Sequence, residues 1–197
     1  MNPYDLSETE YLLIGKFIDK FSYLESSIEY TLLYFVLPPF NQIQFKEPAT
    51  SPWFLASVII NELSFSKKII ILKNFINTHK ENYFLSKEDP HYKSKINQYK
   101  EYKKELDKSL SFSLSLGEHR NQLVHSSYFK QEKKFYSTRS KINDKNKIRT
   151  EEYSESKLKE LCDLVNKTFH AVHEASQYLS FLRSENLKYL IKNDKEI

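Results

Sequence analysis

The chain has 197 residues, with 30 Lys and Arg against 26 Asp and Glu, and its formal net charge of +4 is too mild to announce a polyanionic partner by itself. Its length suits one domain, and 40% hydrophobic residues with 14 Tyr and 14 Phe exclude wholesale disorder. The single Cys162 excludes an intramolecular disulfide framework and a Cys-based zinc cluster, as expected of a protein made in a reducing compartment.

The longest apolar run, Trp53 to Ile60, is far shorter than the roughly 20 residues of a membrane-spanning helix. The start, MNPYDLSETE, carries acid where a signal peptide needs base and an apolar run, so a cytoplasmic protein is expected. With only Gly15 and Gly117, and all six prolines before residue 91, the chain lacks the turn formers of β-rich folds. The expected fold is all-α: a single domain over 1–197, built as an up-and-down bundle of four to five main helices, with a β-hairpin or loop excursion at 128–153 before the last helix.

The first helix should begin at Ser7, which forms a capping box with Glu10 ahead of Ile14, Phe17, Phe21, Leu24, Ile28, Leu32 and Phe35 at helical spacing. Pro38 and Pro39 end it. A second helix is expected from about Trp53 to Ile76, carrying Phe54, Val58, Leu63, Ile70, Leu72 and Phe75, with Ser64-Phe65-Ser66 as its candidate break point. A third should run from about Lys93 to His125, buried in its C-terminal half through Leu106, Leu110, Leu114 and Leu123. Between Tyr128 and Tyr153 the helical period gives way to β-prone residues flanking the turn-like Asn143-Asp144-Lys145-Asn146. The last helix starts near Ser154 and carries Leu158, Leu161, Val165, Phe169, Val172, Leu179 and Leu182.

The third helix ends in Gly117-Glu118-His119-Arg120-Asn121-Gln122-Leu123-Val124-His125, an unusually polar series for a buried segment. Asn121 and His125, at i and i+4, project from one face, which Glu118 and Gln122 share. Arg120 stands about 140° round from His125 on an ideal helix, so it must reach back along the surface to meet it.

The run Arg120-Asn121-Gln122-Leu123-Val124-His125 resembles the Arg, polar residue, then His motif of the HEPN superfamily. The likeness extends from Ser7 to Leu190, through Phe21-Ser22-Tyr23-Leu24-Glu25, the Leu63 to Ile69 segment, and the excursion before a long final helix. It implies a helical homodimer whose two motifs face one cleft, and a metal-independent, cofactor-free endoribonuclease used as a toxin or in phage defence. RNA is then the substrate, and an antitoxin protein is among the implied partners. Attack by the RNA's own 2′-OH needs a base, an acid for the departing 5′-oxygen, and positive charge on the phosphorane. Two His125 and two Arg120 brought together by a two-fold axis would supply them, and histidine's ordinary pKa near 6.5 suits proton transfer. His125 is assigned to proton transfer, Arg120 to the scissile phosphate and Asn121 to orienting either, with Glu118 and Tyr128 as supporting groups. One branch of the superfamily continues His-x-Tyr, whereas His125-Ser126-Ser127-Tyr128 is longer by one residue. The alternative from another class is a catalytically inactive HEPN module for binding or assembly.

Residues 130–149 carry a local excess of six positive charges, with Lys133, Lys134, Arg139 and Lys141 as candidate RNA contacts and Phe135 or Tyr136 as candidate stacking rings. His170 and His173, followed by Glu174, have helical spacing but no evident third ligand, so no metal site is assigned.

Overall fold

The computed structural model describes residues 6–37, 52–79, 81–131, 134–140 and 148–194. Five helices, α1 (Glu8–Val36), α2 (Pro52–Asn61), α3 (Phe65–Thr78), α4 (Tyr92–Val124) and α5 (Glu155–Asp194), are joined by a short 3-10 turn at Glu81–Tyr83 and, before α5, by a small sheet. The predominantly helical bundle with a β excursion is the architecture expected from the sequence. Pro38, Pro39 and the Asn143 to Asn146 turn lie outside the described residues.

Local chemistry sets the element ends. Ser7 N–H donates to Glu10 Oε2 at 2.7 Å and Glu10 N–H returns to Ser7 Oγ at 3.2 Å, completing the capping box of α1. Ser154 opens α5 in a similar way, its Oγ accepting from Lys157 N–H at 3.2 Å. The expected second helix is two: the chain turns at 62–63, Ser64 adopts an extended backbone at ψ 151°, and α3 starts afresh. Phe54, Val58 and Ile70, expected to be buried, are exposed, and Ile60, Ile69, Leu72 and Ile76 form the inward series. In α1, by contrast, every apolar residue of the predicted stripe is buried.

The excursion is a three-stranded antiparallel meander, larger than a hairpin: β1 (Ser127–Gln131), β2 (Lys134–Ser140) and β3 (Ile148–Tyr153), in the order β1-β2-β3. Phe135 pairs with Tyr153, Ser137 with Glu151 and Arg139 with Arg149. Strand side chains alternate between faces, so these six share one face. Phe135 and Tyr153 are fully buried there, with rings stacked at 5.5 Å.

The described residues divide into two compact units, and α1, α4 and α5 each contribute to both. The first takes in Met1–Leu24 and Ser113–Thr168. Its core includes Phe17, Phe21, Leu116, Leu123, Phe135, Tyr153, Leu158 and Val165. Buried Glu10 also receives Lys130 Nζ at 3.0 Å, tying the start of α1 to β1. The second, Glu25–Phe112 with Phe169–Ile197, centres on Ile28, Leu32, Phe35, Ile69, Leu72, Phe84, Leu106 and Leu179. Its buried Lys68 is satisfied by Glu25 at 3.3 Å and by Glu29. No helix among the described residues is long and apolar enough to cross a membrane.

Candidate functional site

Successive residues of an α-helix are 100° apart, so the last two turns of α4 present two faces with different fates. Gln122 and Leu123 are buried and His119 is half-buried, whereas Asn121, Val124 and His125 are exposed and Arg120 is half-exposed. Gln122, only 3% exposed, was grouped by spacing with Asn121 and His125 but turns into the sheet. Its Nε2 donates to Ser137 O at 2.9 Å and Arg149 O at 3.2 Å, so one amide clamps α4 to β2 and β3.

The sheet-facing side also holds a polar network that spacing did not reveal. His119 Nδ1 lies 3.1 Å from Tyr153 Oη and 3.2 Å from Glu151 Oε2, and Tyr153 Oη donates to that same carboxylate oxygen at 2.7 Å. Arg149 bridges two acids, with Nη2 on Glu151 Oε1 at 2.5 Å and Nη1 on Glu118 Oε2 at 2.8 Å. Lys157 Nζ sits 4.6 Å from the centre of the Tyr153 ring.

Burial pushes the His119 imidazole below its ordinary value of 6.5, outweighing the attraction of Glu151. Burial also pushes Glu151 upward, but the Tyr153 hydroxyl and the charges of His119 and Arg149 prevail and hold its carboxyl below the usual range. Tyr153 is driven well above an ordinary phenol, first by burial and then by its bond to Glu151. The result is an ionised Glu151 held by donors on both oxygens.

Tyr128 Oη donates to Leu123 O, a carbonyl of the last turn of α4, and its ring meets Phe135 edge-on at 5.9 Å. This phenol anchors β1 to the helix end. Glu118, expected beside Arg120 and His125, is paired with Arg149 instead.

The outward side is far less tethered. Arg120 Nη1 donates to Asn121 Oδ1 at 3.0 Å, and no carboxylate pairs with Arg120 among the described residues. The helix ends at Val124, with His125 N–H still bonded to Asn121 O at 3.2 Å. The His125 imidazole is exposed and has no hydrogen bond or ion pair among the described residues. A guanidinium, an amide and an imidazole are thus available at one helix end.

The two candidate RNA contacts among the described residues, Lys134 and Arg139, are not brought together. Lys134 and Arg139 fall on opposite faces of β2, and Lys134 pairs with Glu152 at 2.8 Å. Lys133 and Lys141 lie outside the described residues. Phe135 is sealed in the core and cannot stack on a base, whereas Tyr136 stacks on Phe129 at 5.1 Å on the other face. His173 lies against the Phe169 ring and within 2.9 Å of Gln177 Nε2. No group of three or more His, Cys, Asp or Glu among the described residues is arranged to hold a metal.

The missed residues left one readable signal. Arg149, Glu151 and Tyr153 recur at every second position, which places them on one face of any strand through this segment. Which face of α4 that strand would meet was not in the spacing. Compared with protein-family models, with curated proteins and with solved structures, the chain matches none of them.

Proposed function

We propose that the protein is a metal-independent endoribonuclease of the HEPN type, acting on single-stranded RNA as a homodimer in toxin or phage-defence biology. The observation that carries the reading is the exposure of Asn121 and His125, with Arg120 half-exposed, at one helix end, beside a face whose polar groups are tied down.

In the proposed reaction the 2′-OH loses its proton to one His125 as its oxygen attacks phosphorus. The bond to the 5′-oxygen breaks, and that oxygen takes a proton from the second His125. Arg120 balances the charge on the phosphorane, and Asn121 orients either the imidazole or the phosphate. The products are a 2′,3′-cyclic phosphate and a free 5′-hydroxyl. One chain supplies one such imidazole, so the chemistry calls for a second copy. Glu118 and Tyr128 act at a distance in this scheme, Glu118 by holding Arg149 and Tyr128 by fixing the helix end from which His125 projects.

The test is incubation of mixed-sequence single-stranded RNA in EDTA with the wild-type protein and with His125→Ala, followed by analysis of product ends. Cyclic-phosphate ends that vanish in the variant support the assignment. Equal cleavage by both removes His125 from the chemistry, and no cleavage by the wild type moves the reading to an inactive binding or assembly module. A protein that stays monomeric at micromolar concentration would sink the shared cleft.

A further inference from the structure

The start of α1 turns a face to solvent opposite its buried stripe. Around Gly15 that face forms a hollow of 630 Å³, lined by Glu8, Tyr11, Leu12, Gly15, Lys16 and Asp19 of this one helix. Tyr11 and Leu12 are each 57% exposed, whereas the outer side of a helix is ordinarily polar or charged. Glycine inside a helix costs about 1 kcal/mol relative to alanine. A methyl group at Gly15 would meet no other group within 4 Å among the described residues, so no described contact calls for a glycine there. The space its missing side chain leaves is on the outside of the molecule.

Spacing gives the hollow its shape. Glu8, Tyr11, Leu12 and Gly15 stand at i, i+3, i+4 and i+7, and so do Leu12, Gly15, Lys16 and Asp19. Four residues so spaced form the hole that receives one side chain of a facing helix, and here two such holes follow one another along the axis. The occupant that fits is a second helix. Charge says which one. Glu8 and Lys16 lie about 12 Å apart along the axis, too far to pair with each other, and neither makes an ion pair among the described residues. When a second α1 is laid antiparallel, Leu12 against Leu12, Glu8 of each copy stands opposite Lys16 of the other. The match is reciprocal, as a two-fold interface requires.

This end of α1 is also tied to the strand that follows His125. Glu10 receives Lys130 Nζ of β1 at 3.0 Å. Burial, and after it the neighbouring phenol of Tyr11, pushes the Tyr128 hydroxyl above an ordinary phenol. Tyr128 in turn donates to Leu123 O, in the last turn before His125. A two-fold axis at Leu12 therefore passes beside the helix end that carries His125.

From the two holes around Gly15 and the reciprocal placing of Glu8 and Lys16, we infer that the outer face of α1 is where a second copy of this chain docks, antiparallel, α1 against α1. Leu12 and Tyr11 supply the apolar contact, Gly15 lets the two backbones approach, and the two Glu8–Lys16 pairs set the register. The pairing rests on the ribonuclease reading for its use, a second His125, and on the residues of α1 for its position.

The experiment is sedimentation equilibrium of the full-length wild type, of Glu8→Lys, of Lys16→Glu, of an equimolar mixture of those two variants, and of Gly15→Arg. The wild type is expected to be dimeric at about 10 µM. Each charge reversal sets like charges opposite one another across the axis and should weaken the dimer at least about tenfold. Mixing the two variants should restore it, because one chain then offers two bases and the other two acids. Gly15→Arg fills the hollow and should weaken the dimer at least about tenfold, with the circular-dichroism spectrum unchanged because the position is open. A monomeric wild type, a dimer indifferent to the three variants, or a mixture of folded variants that stays monomeric overturns the inference. RNA cleavage in EDTA is read separately. A dimer that responds as expected but cuts no RNA keeps the interface and removes the ribonuclease reading, whereas His125-dependent cleavage by a protein indifferent to the α1 variants does the reverse.

Discussion

The two sides of the last turns of α4 are made from the same short run of polar residues, yet they behave oppositely. Gln122 and His119 are engaged by the sheet, with Arg149, Glu151 and Tyr153 completing a network of donors and acceptors. Asn121 and His125 are exposed and Arg120 half-exposed, and their side chains carry one hydrogen bond among the described residues, from Arg120 to Asn121. Polarity on a helix therefore has two uses, and burial separates them: a satisfied amide holds the sheet, and an unsatisfied imidazole is free to react. A group whose bonds are already made has little to give a substrate.

The comparison breaks first at His125. On the proposed ribonuclease reading, its replacement by Ala lowers RNA cleavage by at least about 100-fold, the scale of a lost general acid or base, with the thermal melt unchanged because the side chain is exposed. A large stability loss with intact cleavage would reverse the roles of the two faces. Gln122→Leu should do the opposite, leaving Ser137 O and Arg149 O without their donor and costing about 2–3 kcal/mol in urea denaturation. A change within error there would show that the sheet does not rely on the amide.

Tyr153→Phe keeps the ring stacked on Phe135 but removes the bond to Glu151, and should cost about 1–2 kcal/mol. The pH dependence of stability sharpens the same point. Folding disfavours charging His119, so its contribution is fully present above the ordinary imidazole value of 6.5 and falls as pH drops below it. Glu151, held low, adds stability that is present above 4.5 and is lost at still lower pH. Denaturation midpoints between pH 7 and about pH 2 should decline in that order, and His119→Asn should flatten the upper part. The smallest effect belongs to Glu118→Gln, whose exposed pair with Arg149 should contribute no more than about 0.5 kcal/mol by the same denaturation.

Local periodicity made α1 legible almost to the residue: Ile14, Phe17, Phe21, Leu24, Ile28, Leu32 and Phe35 are buried, and the Ser7–Glu10 box opens the helix. It failed in the expected second helix, which breaks at 62–64 into α2 and α3: Phe54 and Val58 of α2 and Ile70 of α3 point outward, and Leu72 of the same stripe is buried. The excursion was recognisable as β-prone, but a third strand depends on hydrogen bonds between residues distant in sequence. Lys134 and Arg139 both add positive charge to a segment, and their odd separation puts them on opposite faces once that segment is a single strand, β2.

The sequence by itself determined the helical class, the caps that open α1 and α5, and the placing of Arg120, Asn121 and His125 at a helix end, since each follows from side-chain spacing over a few turns. Tertiary structure alone decided that Gln122 and His119 face the sheet and that Glu118 serves Arg149. Spacing fixes the angle at which a side chain leaves its helix. What stands opposite that angle, and so whether the side chain is satisfied or available, is set by partners tens of residues away.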